Sequence, residues 1–159
     1  MQLREGERVL KVFHHHPSPF IWKVLRIIVA FFPFFFLIFL FQNSLEVKYY
    51  LAVHAMVFII FTVAILYQSL VYWLDKLVIT NQRIVYINWK YLTVRDESEA
   101  LLNDIQDIQT HEKGLIAYFW LFDYGTFALE TASSHLTIKF KNAPDPEGIR
   151  QYVYHIRKQ

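Results

Sequence analysis

The hydrophobic rhythm of the chain changes near residue 75. Ile27 to Leu45 is nineteen residues without a charge, and Tyr49 to Leu74 is twenty-six. A helix rising 1.5 Å per residue needs about 20 residues to cross a hydrocarbon core of about 30 Å. Both stretches reach that length, the first helped by Lys23 and Arg26, whose long stems can carry their charges back to the headgroups. The pattern predicts an N-terminal segment at 1–19, then a transmembrane hairpin over 20–74 with helices at about 24–45 and 49–74. A soluble core hairpin of this kind would leave almost no polar face for water. A cleaved signal peptide would carry a shorter apolar region near its start, ending in small residues. Here the first stretch lies well inside the chain and is dominated by Phe. Pro33, within the run Phe31 to Phe36, is expected to kink or loosen the first helix.

From Asp75 onward the period shortens to that of strands. Leu77-Val78-Ile79 and Ile84-Val85-Tyr86-Ile87 flank Thr80-Asn81-Gln82-Arg83, a hairpin spacing in which Asn81 can adopt positive φ. Leu92 and Val94 alternate with Thr93 and Arg95 and read as a third strand. Leu101, Leu102, Ile105 and Ile108 are spaced for either a strand or a helix. Leu115 to Phe122 has no clear period and reads as an apolar connector that fills the core or touches the membrane beside Trp120. Strict alternation returns at Phe127, Leu129 and Thr131, and at Leu136, Ile138 and Phe140, joined through Ala132-Ser133-Ser134. The last element reads as a helix. Asp145 suits the N-cap, Pro146 the first turn and Glu147 the dipole, and Ile149, Tyr152, Val153 and Ile156 make one apolar stripe.

Charge decides the orientation. Residues 1–26 carry Arg4, Arg8, Lys11, Lys23 and Arg26 against Glu5 and Glu7, and Lys76, Arg83, Lys90 and Arg95 follow the second apolar stretch. The loop Gln42 to Lys48 carries only Lys48, offset by Glu46. The positive-inside rule then places both termini in the cytoplasm, with Trp22 and Trp73 as anchors at the inner interface and Tyr49 and Tyr50 at the outer one. Residues 75–159 hold ten Lys and Arg against eleven Asp and Glu. That balance offers no basic patch for nucleic acid. The absence of cysteine removes disulfides, thiolate zinc sites and thiol nucleophiles.

The remaining chemistry is thin. His14-His15-His16 are metal-ligating residue types, but consecutive residues do not converge on one ion, and the following Pro17-Ser18-Pro19 suits a turn at the headgroups. His54 and Gln68 lie within the second stretch, where an ionisable group is a functional candidate by default, although His54 is about one turn from the interface. His111-Glu112 lacks the second histidine of a metalloprotease helix, since position 115 is Leu. Glu99, Asp104 and Asp107 read as a solvated acidic face. Ser133-Ser134-His135 has no nucleophile elbow, and the four glycines are too separate for a phosphate loop.

Several stretches carry a family likeness. Glu7-Arg8-Val9-Leu10 with His16-Pro17, Val78-Ile79-Thr80-Asn81-Gln82-Arg83-Ile84, Asp104-Ile105-Gln106-Asp107-Ile108, Tyr124-Gly125-Thr126 and Asn142-Ala143-Pro144-Asp145-Pro146-Glu147 occur in this order. Together they resemble the bacterial pleckstrin-homology-like (PH-like) membrane proteins, in which a transmembrane hairpin precedes a PH-like domain. The resemblance implies a membrane α-helical hairpin followed by an α+β, mainly-β domain at 75–159: a partly open antiparallel barrel closed by a C-terminal helix. It implies no catalytic residue, cofactor or metal. The expected function is that of a non-enzymatic adaptor or assembly subunit at the inner face of a bacterial or archaeal cell membrane. Its expected partners are the bilayer and either further copies of itself or another membrane protein. An anionic-lipid sensor is the first alternative, with Arg83, Lys90 and Arg95 as possible headgroup contacts, although Arg83 also reads as a brace for its turn. A subunit of a transport complex or a membrane enzyme is the second, with His111 or His135 as the available bases.

Overall fold

In the computed structural model, which describes residues 1–112, 124–132 and 137–158, the chain forms two compact units. One is Pro19–Leu70; the other joins Met1–Ser18 to Val71–Gln159.

The helical unit follows from hydropathy alone. Helices α1 (Pro17–Leu40) and α2 (Val47–Leu74) are both long and apolar enough to cross a membrane. They pack antiparallel through aromatic edges, Phe31 and Phe35 lying 5.4 and 6.0 Å from Phe61. Phe32, Phe34, Phe36 and Phe39 remain exposed. The Thr62 and Ser69 hydroxyls on α2 are satisfied within the helix, Thr62 donating to the Phe58 carbonyl and Ser69 to that of Ile65. Helix α1 starts earlier than its charge-free core, because Pro17 has no N–H to leave unpaired in the first turn and Nδ1 of His16 accepts from the Ser18 N–H. The helix continues through Pro33.

The second unit contains two antiparallel sheets. The first has the order β1 (Val9–His14), β2 (Lys76–Thr80), β3 (Arg83–Tyr91), β4 (Val94–Leu101). The second is β5 (Ile105–Glu112), β6 (Tyr124–Thr131), β7 (Thr137–Pro144), and α3 (Pro146–Arg157) follows. Leu77, Ile79 and Ile84 from the first sheet, Phe127, Leu129, Ile138 and Phe140 from the second, and Ile149 and Val153 from α3 share one core. This is the mainly-β domain with a closing helix that the pattern predicts.

Strand β1 is the element that periodicity misses. The segment 1–19, read as a lead-in, supplies an edge strand whose Phe13 lies opposite Leu77 and whose His14 lies opposite Lys76. Only Phe13 packs on the core, so no alternation marks the strand in sequence. The helix pair is therefore inserted between two neighbouring strands, occupying the place of a β1–β2 turn.

Two local expectations change, and one choice left open by the sequence is settled. The β2–β3 turn does not use a left-handed Asn81; among the described residues positive φ falls at Gly6, Asn142 and Asp145. Asn81 works through its side chain, accepting from the Arg8 N–H at 2.7 Å and donating to the Gly6 carbonyl at 3.1 Å. Leu92 and Thr93 form the β3–β4 turn rather than a strand, and β4 begins at Val94. Ile105 and Ile108 belong to a strand after a short 3-10 turn, and a bulge between Ile105 and Asp107 brings both to the core despite their spacing of three. The connector Leu115 to Phe122, and Ser133 to Leu136, lie outside the described residues.

Gly125 tests the packing. A Cβ there would lie 2.3 Å from the His111 carbonyl oxygen and 2.9 Å from Pro146 Cγ. Gly125→Ala should destabilise the domain by about 1–3 kcal/mol. Lys139→Ala, on an exposed position of β7, should stay within about 0.5 kcal/mol. Thermal unfolding of the full chain in lipid nanodiscs checks both.

Candidate functional site

Two polar constellations sit where the first sheet meets the rest of the chain. The first is the junction between strands and helices. Two residues, His15 and His16, separate β1 from α1, and one residue, Asp75, separates α2 from β2. His15 Nε2 lies 3.3 Å from Asp75 Oδ2, with both side chains largely buried. The His15 ring stacks on Phe140 at 4.7 Å and tilts against Tyr72 at 5.3 Å, and its Nδ1 has no hydrogen-bond partner. Asp75 Oδ1 accepts from the Trp89 N–H at 2.6 Å. The Tyr72 hydroxyl donates to the His16 carbonyl, and the His16 N–H donates to the Asn142 carbonyl at 2.8 Å. Burial, and then the Asp75 charge, push the Tyr86 hydroxyl up to about 12.

This arrangement binds backbone to backbone. A His–Asp pair orients an imidazole, but its chemistry needs a nucleophile or ion beside it. Among the described residues no cluster of three metal-ligating side chains exists. The three consecutive histidines diverge: His14 is exposed, His15 faces Asp75 and Phe140, and the His16 ring lies over Tyr124 at 5.7 Å.

The second constellation pins the N-terminal residues on the outer face of the first sheet. Arg83 donates from Nε to Glu7 Oε1 at 2.8 Å, from Nη2 to Glu7 Oε2 at 3.0 Å and to the Gln2 carbonyl at 2.8 Å, and from Nη1 to Glu99. Thr80 adds a hydroxyl bond to Glu7 at 2.9 Å. The Glu7 carboxyl is held down to about 2, chiefly by its bond to Arg83 and against the opposing effect of burial; Arg83 is correspondingly raised.

The expected headgroup contacts thus divide. Arg83 is buried in this cluster, so it braces the turn and is withdrawn from lipid contact. Lys90 and Arg95 stay exposed on the β3–β4 hairpin, paired with Asp96 at 2.7 Å and Glu97 at 3.1 Å. Of the acidic face, Glu99 is held by Arg4 and Arg83, while Asp107 bonds the Ile108 N–H and the Gln109 amide. On the helices, Trp22, Tyr49 and Trp73 are exposed, and Tyr50 packs against His54 at 4.5 Å. The His54 Nδ1 is buried without a partner. His111 is exposed on β5, and His135 lies outside the described residues.

Sequence reasoning weighed His15 only as a metal ligand and passed over Glu7 and Asp75 as functional positions. A carboxylate at the exit of a long apolar stretch was the available signal for Asp75. Glu7 had none, since its partner is 76 residues away.

Arg83→Met should cost about 3–5 kcal/mol, because it leaves Glu7 buried and uncompensated. Asp75→Ala should cost about 1–3 kcal/mol through the unpaired Trp89 N–H. For pH, the folded Glu7 value lies below its ordinary 4.5. Its contribution is therefore complete above that value and is lost as pH falls from there toward about 2. Glu7→Gln should flatten that part of the acid limb in unfolding curves of the full chain between neutral pH and pH about 3.

Comparison with known protein families matches residues 53–158 to the family described as Bacterial PH domain. No curated protein and no solved structure matches the chain. The matched stretch begins inside α2, includes β2 to β7 and α3, and takes in more than half of the sequence. With two antiparallel sheets and a closing helix in that stretch, the chain belongs to the bacterial PH domain family.

Proposed function

We propose that this chain is a membrane-anchored PH-like module without catalytic activity of its own, acting as an adaptor or assembly subunit at the cytoplasmic face of a bacterial or archaeal membrane. Helices α1 and α2 span the bilayer, and their exposed Phe side chains meet lipid or neighbouring helices. The observation that carries this reading is the insertion of the helix pair between β1 and β2, through connections of two residues and one. Two residues extend at most about 7 Å, so the domain stays at the membrane surface. The excess of cations in residues 1–26, with Lys76, Arg83, Lys90 and Arg95 following closely after α2, supports a cytoplasmic domain. A module tethered so closely is suited to meeting other membrane components, a second copy or another membrane protein.

Because the chain has no cysteine, each introduced thiol reports alone. Ser44→Cys should react with a membrane-impermeant maleimide on intact cells, and Asn103→Cys only after permeabilisation. Labelling of Asn103→Cys on intact cells would reverse the orientation. For the adaptor role, gentle extraction into nanodiscs should retain a protein partner or further copies at fixed stoichiometry. Arg95→Ala or Lys139→Ala should weaken that retention without unfolding the domain. A chain recovered as a lone monomer would overturn the adaptor reading.

A further inference from the structure

The end of the first sheet from which the chain leaves for α1 and returns from α2 carries an overhang. Strand β1 ends at His14 opposite Lys76, and Lys76 begins β2 opposite Ile87. Strand β3 runs on through Asn88, Trp89, Lys90 and Tyr91, paired there with β4, and reverses at Leu92 and Thr93. Four further residues at about 3.3 Å each carry the hairpin roughly 13 Å past the start of β2. The bond from the Trp89 N–H to Asp75 ties the base of the overhang to the residue that follows α2.

The tip is apolar and open. Tyr91 is 60% exposed, and Leu92 and Val94 are exposed with it. The next positions toward the body are cationic: Lys90, and Arg95 lying over the Trp89 ring at 5.9 Å. Their acidic partners, Asp96 and Glu97, stand opposite Asn88 and Ile87, further from the tip. These pairs are well solvated and hold the cations weakly. From tip to body the order is apolar, cationic, acidic. A leaflet presents hydrocarbon, phosphate and water in the matching order. A groove of about 380 Å³ opens at the base of the same hairpin, its lining including Leu74, Lys76, Trp89 and Arg95, so it reaches the last residue of α2.

We propose that the β3–β4 hairpin is a membrane-docking wedge whose occupant is the phospholipid headgroup layer. Tyr91, Leu92 and Val94 enter its apolar side, and Lys90 and Arg95 take lipid phosphates. The inference rests on the reading that α1 and α2 span the bilayer. It adds a third contact to the two covalent crossings, which would fix the face that the domain turns to a partner.

Spin labels on the full chain in nanodiscs test it, with single cysteines at Leu92, Val94, Asn103 and Ile60. Collision with oxygen reports lipid, and collision with a water-soluble nickel chelate reports water. Leu92→Cys and Val94→Cys should show an oxygen-to-nickel ratio several times that of Asn103→Cys, at the opposite end of β4, and below that of Ile60→Cys in mid-helix. The ratio at Leu92→Cys should rise when phosphatidylglycerol is added to phosphatidylcholine, and Lys90→Gln with Arg95→Gln should remove the rise. Nickel access at both tip positions equal to that at Asn103→Cys would overturn the wedge. Low access to both reagents would place the tip against protein, a second copy of the chain, and would overturn it as well. A rise that survives the double substitution would overturn the role of the two cations. Water-like collision at Ile60→Cys would overturn the spanning reading itself, which separates the two failures.

Discussion

The pairing of β1 with β2 is the constraint on which the rest of the molecule depends. Residues 15 to 75 separate these neighbours in the sheet. Closing a flexible loop of that length costs entropy, although the cost grows only slowly with length. The antiparallel helix pair changes the problem, because α1 carries the chain out and α2 carries it back. The strands then meet across two short connections, and the His15–Asp75 contact and the bond from Trp89 join them at that point.

The two polar constellations serve opposite ends of the same sheet. At the helix end, His15, Asp75 and Tyr72 join the end of β1, the last turn of α2 and the start of β2. At the far end, Arg83 gathers Glu7, Glu99 and the Gln2 carbonyl, which lays the N-terminal residues over the outer face of the sheet. Each buries charge, and each compensates it by pairing rather than by exposure. That accounts for a cation count that overstates the charge available to a ligand. Arg83 belongs to the fold, while Lys90 and Arg95 belong to the surface.

Reading the sequence succeeded where the physics is local. Two apolar helices follow from charge-free stretches about as long as a hydrocarbon core is thick, or longer. The alternation at Phe127, Leu129, Ile138 and Phe140 marks strands, since a half-buried strand must alternate. Asp145 and Pro146 mark the start of α3, because a cap is a local bond, here from the Gly148 N–H to the Asp145 carboxylate. It failed where the burial of one residue is decided by another far along the chain. Strand β1 lies at an edge and buries little, so it leaves no period. Ile105 and Ile108 left strand and helix equally open, because a bulge compresses two strand positions into a spacing of three.

Membrane-length hydropathy, the mainly-β character of the second unit and its closing helix were thus written into the order of residues, each being a property of neighbours in sequence. Folding alone settled that the N-terminal segment completes a sheet, that Arg83 is buried while Lys90 and Arg95 stand free of the core, and that the β3–β4 hairpin runs on past the start of β2. Those outcomes come from contacts between residues such as Glu7 and Arg83, 76 positions apart. No local pattern can encode a partner at that distance.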